Sequence, residues 1–217
     1  MPARPQDPAF SGKTVTPQET VMQTVILDGI WGWHSRWEPL RRGIEAGVGP
    51  CQIWHYDSSG WVSIETLGAR LAADLCALDG PFCAVGYSMG GLIVREALRQ
   101  DPSLQLRSAA LLNTPHGGSL VAHLLPFSAC RDMRPHSPFL RRLNETPWEY
   151  PTLATWCPAD LMVVPGYSAR WHRATRIIRS DMPIHEWPVV SPGIRREIVA
   201  FFSSAKASPE ARSPESR

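Results

Sequence analysis

Gly86-Tyr87-Ser88-Met89-Gly90 constrains what this chain can fold into more than any other stretch. It follows Phe82-Cys83-Ala84-Val85, an apolar run of strand type, and precedes Gly91-Leu92-Ile93-Val94-Arg95-Glu96-Ala97-Leu98, which reads as a helix. A strand, a tight turn and a helix with Ser at the tip is the nucleophile-elbow arrangement, in which a strained backbone projects the hydroxyl above a sheet. The residues two before and two after that Ser must be small, because larger side chains would collide with the neighbouring strand and helix. Gly86 and Gly90 meet that demand.

The rest of the chain supplies strands and helices in alternation. Val25-Ile26-Leu27 reads as a buried strand ending at Asp28-Gly29-Ile30-Trp31-Gly32, and Ser35 to Glu45 can form a short helix. Gln52 to Tyr56 reads as a second strand. Ser63 suits an N-cap, and Ile64, Leu67, Leu71, Leu75 and Leu78 recur at helical spacing up to Gly80. After the Ser88 strand and helix come Ala109 to Leu112 as a fourth strand and Leu153 to Trp156 as a fifth. Arg176 to Ile178 reads as a sixth, and Ser191-Pro192 caps a last helix bearing Ile194, Ile198, Phe201 and Phe202. Such alternation predicts an α/β fold, a mostly parallel sheet of about six strands with helices on both faces. Residues 119–150, interrupted by prolines, read as a short lid-like insertion. Residues 1–20 read as a flexible arm, 21–204 as the domain, and 205–217 as a disordered tail.

Composition excludes several alternatives. A formal net charge of +2 over 217 residues gives no argument for nucleic acid, and no apolar run is long enough for a membrane span. The N-terminal residues have no apolar core of signal-peptide type, so a cytoplasmic location is expected. Five cysteines without a Cys-x-x-Cys pair argue against a disulfide framework or a zinc site, and Cys76 and Cys83 read as small core residues.

In parallel sheets ligands bind beyond the carboxyl ends of the strands. Four of these ends carry Asp28-Gly29, Ser88, Asp160 and His185. A serine hydroxyl needs a base, and an imidazole base needs a carboxylate to hold its tautomer. Ser88, Asp160 and His185 occur in the order nucleophile, acid, histidine. Of the seven histidines only His185 follows the last strand and precedes the last helix; His116 is read as shaping its loop. Asp181 is the rival for the acid. A tetrahedral intermediate needs backbone N–H donors aimed at its oxygen. Met89 supplies one; Ile30 is expected to supply the other, with Trp31 as the fallback. Trp31, Trp33 and Tyr87 are candidate walls of the substrate pocket.

These residues resemble the α/β-hydrolase superfamily, and more narrowly its bacterial lipase and esterase branch, over roughly Val25 to Phe202. The resemblance is carried by Gly86-Tyr87-Ser88-Met89-Gly90-Gly91, by Asn113-Thr114-Pro115-His116-Gly117-Gly118-Ser119, by Pro158-Ala159-Asp160 with Val163-Val164-Pro165, and by Arg134 to Leu140. It implies a reduced α/β-hydrolase fold, beginning at what would be the third strand of the full fold. It also implies a serine carboxylester hydrolase with Ser88 as nucleophile, Asp160 as acid, His185 as base, Ile30 and Met89 as oxyanion hole, and no metal or cofactor. The expected partner is a small-molecule or lipid ester, with transient lipid-surface contact if the insertion opens. Amide or thioester cleavage, acyl transfer, and an inactive binding protein are the alternatives. The family usually has His-Gly where this chain has Asp28-Gly29, and a carboxylate there would oppose charge building in the hole unless hydrogen-bonded or protonated.

Overall fold

Six strands, β1 (Gln23–Leu27), β2 (Cys51–Ile53), β3 (Phe82–Tyr87), β4 (Leu106–Leu112), β5 (Thr152–Trp156) and β6 (Arg176–Arg179), pair in parallel in the order β2-β1-β3-β4-β5-β6. This computed structural model describes residues 22–78 and 80–207. The expected arm, and most of the expected tail, lie outside those residues.

The four inner strands β1, β3, β4 and β5 are buried on both faces, and alternate side chains feed two separate cores. Val25 and Leu27, Phe82 and Ala84, and Ala109 and Leu111 point to one side. There they meet helices α2 (Ile64–Cys76) and α3 (Met89–Gln100). Ile26, Val85, Ala110 and Leu112 point to the other side, against α1 (Glu38–Gly47) and the last helix. Burying each large apolar side chain contributes roughly 1.5–3 kcal/mol, so period-two alternation commits every central strand to one register.

Ser63 starts α2 by accepting a hydrogen bond from Thr66 N–H at 3.2 Å. That helix ends at Cys76, one turn short of the expected stop at Gly80. Cys76 is exposed and donates its thiol hydrogen to Asp101, so it is no core residue, whereas Cys83 is buried. Strand β2 is also shorter than its sequence suggests. Trp54 N–H still donates to Ile26 O at 2.9 Å, and the rings of Trp54 and Tyr56 stack with their centroids 5.0 Å apart. Tyr56 Oη then donates to the carbonyl of Asp28 at 2.6 Å.

The insertion between β4 and β5 carries α4 (Ser128–Asp132) and α5 (Pro138–Glu145), which buries Phe139, Leu140 and Leu143 in the α2–α3 core. Its first part leaves and returns at one place, because Ser119 N–H donates to Met133 O at 2.8 Å. After β6 come α6 (Trp187–Val190) and α7 (Pro192–Ala207), with Ile194, Ile198 and Phe202 buried. The strand order reverses between β1 and β3, which opens a crevice at their carboxyl ends.

Candidate active site

Ser88 sits in that crevice, between β3 and α3, with φ 52° and ψ −121°. A non-glycine residue at positive φ is strained, and surroundings that over-determine it must hold it there. Ser88 N–H is tied to Leu112 O at 2.8 Å. The two flanking glycines remove the obstacles. A Cβ at Gly86 would lie 2.5 Å from Gly91 Cα, and one at Gly90 would lie 2.7 Å from Leu27 O and closer still to Asp28 O.

His185 arrives from the loop between β6 and α6, and Asp160 from the turn after β5. His185 Nε2 is 3.0 Å from Ser88 Oγ, and His185 Nδ1 is 2.7 Å from Asp160 Oδ2. All three residues are buried. An ionised carboxylate can only accept, so the ring carries its proton on Nδ1 and turns the Nε2 lone pair to the hydroxyl. Asp160 Oδ1 accepts from Met162 N–H at 2.8 Å and Val163 N–H at 2.9 Å, which fixes the carboxylate plane. Asp181, the rival, is exposed and pairs with Arg179.

Asn113 ties this chain of bonds to the sheet, and no site role was expected of it. It follows β4 at φ 44°, a conformation Asn tolerates better than most residues. Its Nδ2 donates to His185 O at 3.0 Å and to Asp160 Oδ2 at 3.3 Å, while its Oδ1 accepts from Thr155 Oγ1 at 2.9 Å. An Asn directly after a strand in a Gly-rich motif was the only available signal.

The loop after β1 is held N–H by N–H. Gly29 N–H donates to Asp28 Oδ1 at 2.7 Å, Trp31 N–H to Ser58 O at 2.8 Å, and Gly32 N–H to Ser58 Oγ at 3.2 Å. Ile30 N–H alone in this run has no acceptor among the described residues. Trp31, the fallback donor, is therefore already engaged. Met89 N–H, the first of α3, likewise has no acceptor among the described residues, and helix geometry offers it none. Asp28 is fully buried and takes a two-pronged ion pair from Arg36, through Nε at 3.2 Å and through Nη2. The carboxylate beside this loop is thus hydrogen-bonded and paired with a cation.

A cavity of about 230 Å³ opens over Ser88 and His185. Ile30, Trp31 and Tyr87 line it from the strand ends, and Val121, Ala122, Leu125, Cys130 and Met133 from the insertion. Tyr87 is packed between two partners, with the His185 ring centroid at 5.1 Å and the Arg36 guanidinium at 4.9 Å. Trp33 does not line the cavity; it is 73% exposed, because the 3-10 turn over His34–Trp37 carries Trp37 inward instead.

His116 lies apart from this cavity. Its ring stacks on Trp171 at 4.4 Å, and its Nδ1 is 3.1 Å from Arg95 Nη1. Burial, with the charge of Arg95 added, holds its pKa well below the usual histidine value.

No family model matches the sequence, and no curated protein matches it. Solved structures do match. A lipase from Bacillus licheniformis aligns over 87% of this chain and 94% of its own, with a TM-score of 0.65 and 17% identity. A monoacylglycerol lipase from Paleococcus ferrophilus covers 84% of this chain and 94% of its own, with a TM-score of 0.61 and 14% identity. A type II thioesterase of the yersiniabactin biosynthetic pathway covers 91% of this chain and 96% of its own, with a TM-score of 0.58 and 19% identity. With one six-stranded parallel sheet, helices on both faces and likenesses that span most of each chain, this protein has the α/β-hydrolase fold in a reduced form.

Proposed function

We propose that the protein is a serine hydrolase of carboxylic esters that works through an acyl-enzyme. The observation that carries this reading is the unbroken chain from Ser88 Oγ through the His185 ring to Asp160, 3.0 and 2.7 Å long, at the floor of a cavity. His185 Nε2 takes the hydroxyl proton as Ser88 Oγ attacks the ester carbonyl carbon, and Asp160 steadies the imidazolium. The carbonyl oxygen becomes an oxyanion that receives Ile30 N–H and Met89 N–H, the latter at the positive end of α3. When the C–O bond breaks, His185 returns the proton to the departing alkoxide. A water then repeats the sequence on the acyl-serine and frees the acid. No step calls for a metal or cofactor.

The cavity is smaller than most sites for drug-sized ligands, which favours short and medium acyl groups, with the apolar insertion wall receiving the acyl chain. Trp31, Leu120 and Leu124 are exposed, the first of them on the cavity rim, and suit contact with a lipid ester at a surface. No helix among the described residues is long and apolar enough to cross a membrane. The same machinery would act on acyl thioesters, a reading favoured by the thioesterase among the structural matches.

The test is hydrolysis of p-nitrophenyl esters of increasing chain length, with an acyl thioester alongside, by the wild type and by Ser88→Ala. Ser88→Ala is expected to lose at least about 10³-fold in kcat and all labelling by a fluorophosphonate. Retained turnover in that variant, or a folded wild type that neither turns over nor labels, would remove the reading.

A further inference from the structure

A carboxylate beside an oxyanion hole is unfavourable unless something cancels it, and Asp28 is wholly buried at the base of the Ile30 loop. Arg36, eight residues on, is the side chain that meets it. The 3-10 turn over His34–Trp37 folds Arg36 back, so that its guanidinium grips both carboxylate oxygens and covers the Tyr87 ring. The carboxylate fills the space under the loop: a Cβ on Gly32 would fall 2.7 Å from Asp28 Cγ. Its Oδ1 turns the Gly29 N–H away from the cavity, and Ser58 takes the N–H groups of Trp31 and Gly32. Among the described residues, the one N–H of Gly29–Gly32 left unclaimed is that of Ile30. Arg36 also lines the cavity and lies over the Tyr87 ring, whose centroid is 5.1 Å from that of His185.

We propose that Arg36 is a positioning residue for the reaction: paired with Asp28 it fixes the loop that presents Ile30 N–H, and its charge cancels a carboxylate that would oppose the oxyanion. The proposal rests on the ester-hydrolase reading above. It makes a prediction of sign. Arg36→Met and Asp28→Asn break the same ion pair, but the first leaves a negative charge beside the developing oxyanion and the second a positive one. A pair that only held the fold together would lower stability and the fraction of titratable sites, and would leave kcat per titrated site alike in the two variants.

The experiment measures kcat and KM on a p-nitrophenyl ester, per active site titrated with a fluorophosphonate, for Arg36→Met, Asp28→Asn and the double variant. Arg36→Met is expected to lose about 10²-fold in kcat, the scale of one oxyanion donor. Asp28→Asn and the double variant are expected to lose no more than about tenfold, with KM in all three within about threefold of the wild type. Equal kcat in the two single variants, or Arg36→Met within about threefold of the wild type, would overturn the proposal. If Arg36→Met does not fold, the other two decide, because removal of a whole buried pair is tolerated better than removal of half. Higher kcat in Asp28→Asn than in the double supports the proposal, and equal or lower kcat overturns it. Turnover surviving in Ser88→Ala would instead remove the hydrolase reading itself, so the two failures are distinguishable.

Discussion

Asn113 holds two groups that the proposed reaction needs in register, the Asp160 carboxylate and the backbone of His185. Asn113→Ala would leave the His185 carbonyl without its donor and the Thr155 hydroxyl hydrogen without its acceptor, and put Ala at a φ of 44°. A misplacement of about 1 Å can cost about 10²-fold, so kcat is expected to fall by about 10–10²-fold with KM little changed, as steady-state kinetics would read. A fall confined to KM would assign Asn113 to substrate binding instead. Ser88, Asp160 and His185 were legible as strand-end residues because strands and their order can be read from hydrophobic periodicity. Asn113 and Arg36 were not. Asn113 acts through a positive φ and contacts 47 and 72 residues away, and Arg36 through a 3-10 turn, and neither leaves a periodic trace. Trp33 misled because aromatic density says nothing of direction; its neighbour Trp37 took the buried place.

Among the elements, β1, β3, β4 and β5 begin and end close to where apolar runs and polar ends put them, since each is committed to two cores at once. β2 and the end of α2 deviated locally: past Trp54 the contact with β1 passes to the Tyr56 hydroxyl, which donates to Asp28 O, and Ala77 closes the helix on Asp74 O. The two halves of the insertion have different surroundings. Its second half is core, through Phe139, Leu140 and Leu143; its first half supplies cavity wall. Met133→Ala should enlarge the cavity and move the preferred p-nitrophenyl ester toward longer chains by about two to four carbons, at about 0.8 kcal/mol per newly buried methylene. A chain-length profile identical to that of the wild type would show that acyl groups lie elsewhere.

On the scale of the whole molecule, a second buried polar cluster fastens the insertion to α3 and to the loop after β4. Arg95, on α3, donates to Leu143 O at 2.9 Å and Asn144 Oδ1 at 3.0 Å and lies 4.8 Å over Trp171, on whose ring His116 is stacked. Since burial depresses the His116 pKa in the folded state, the unfolded chain binds a proton there that the folded chain does not. That contribution to stability is complete above the unfolded value near about 6.5 and is lost as pH falls below it, by up to about 1.4 kcal/mol per pH unit. Urea unfolding at two pH values on either side should reveal the loss, and His116→Gln should reduce the difference; an unchanged pH dependence in that variant would exclude His116 as its source. The closed mouth of residues 119–133 has another consequence. Because Ser119 and Met133 are joined by a main-chain hydrogen bond, the excursion between them starts and finishes at one spot, in the manner of a compact surface loop. Five of the apolar residues that line the cavity therefore belong to a single contiguous cassette, which could be exchanged for another of different length while Ser88, Asp160 and His185 at the strand ends stay untouched.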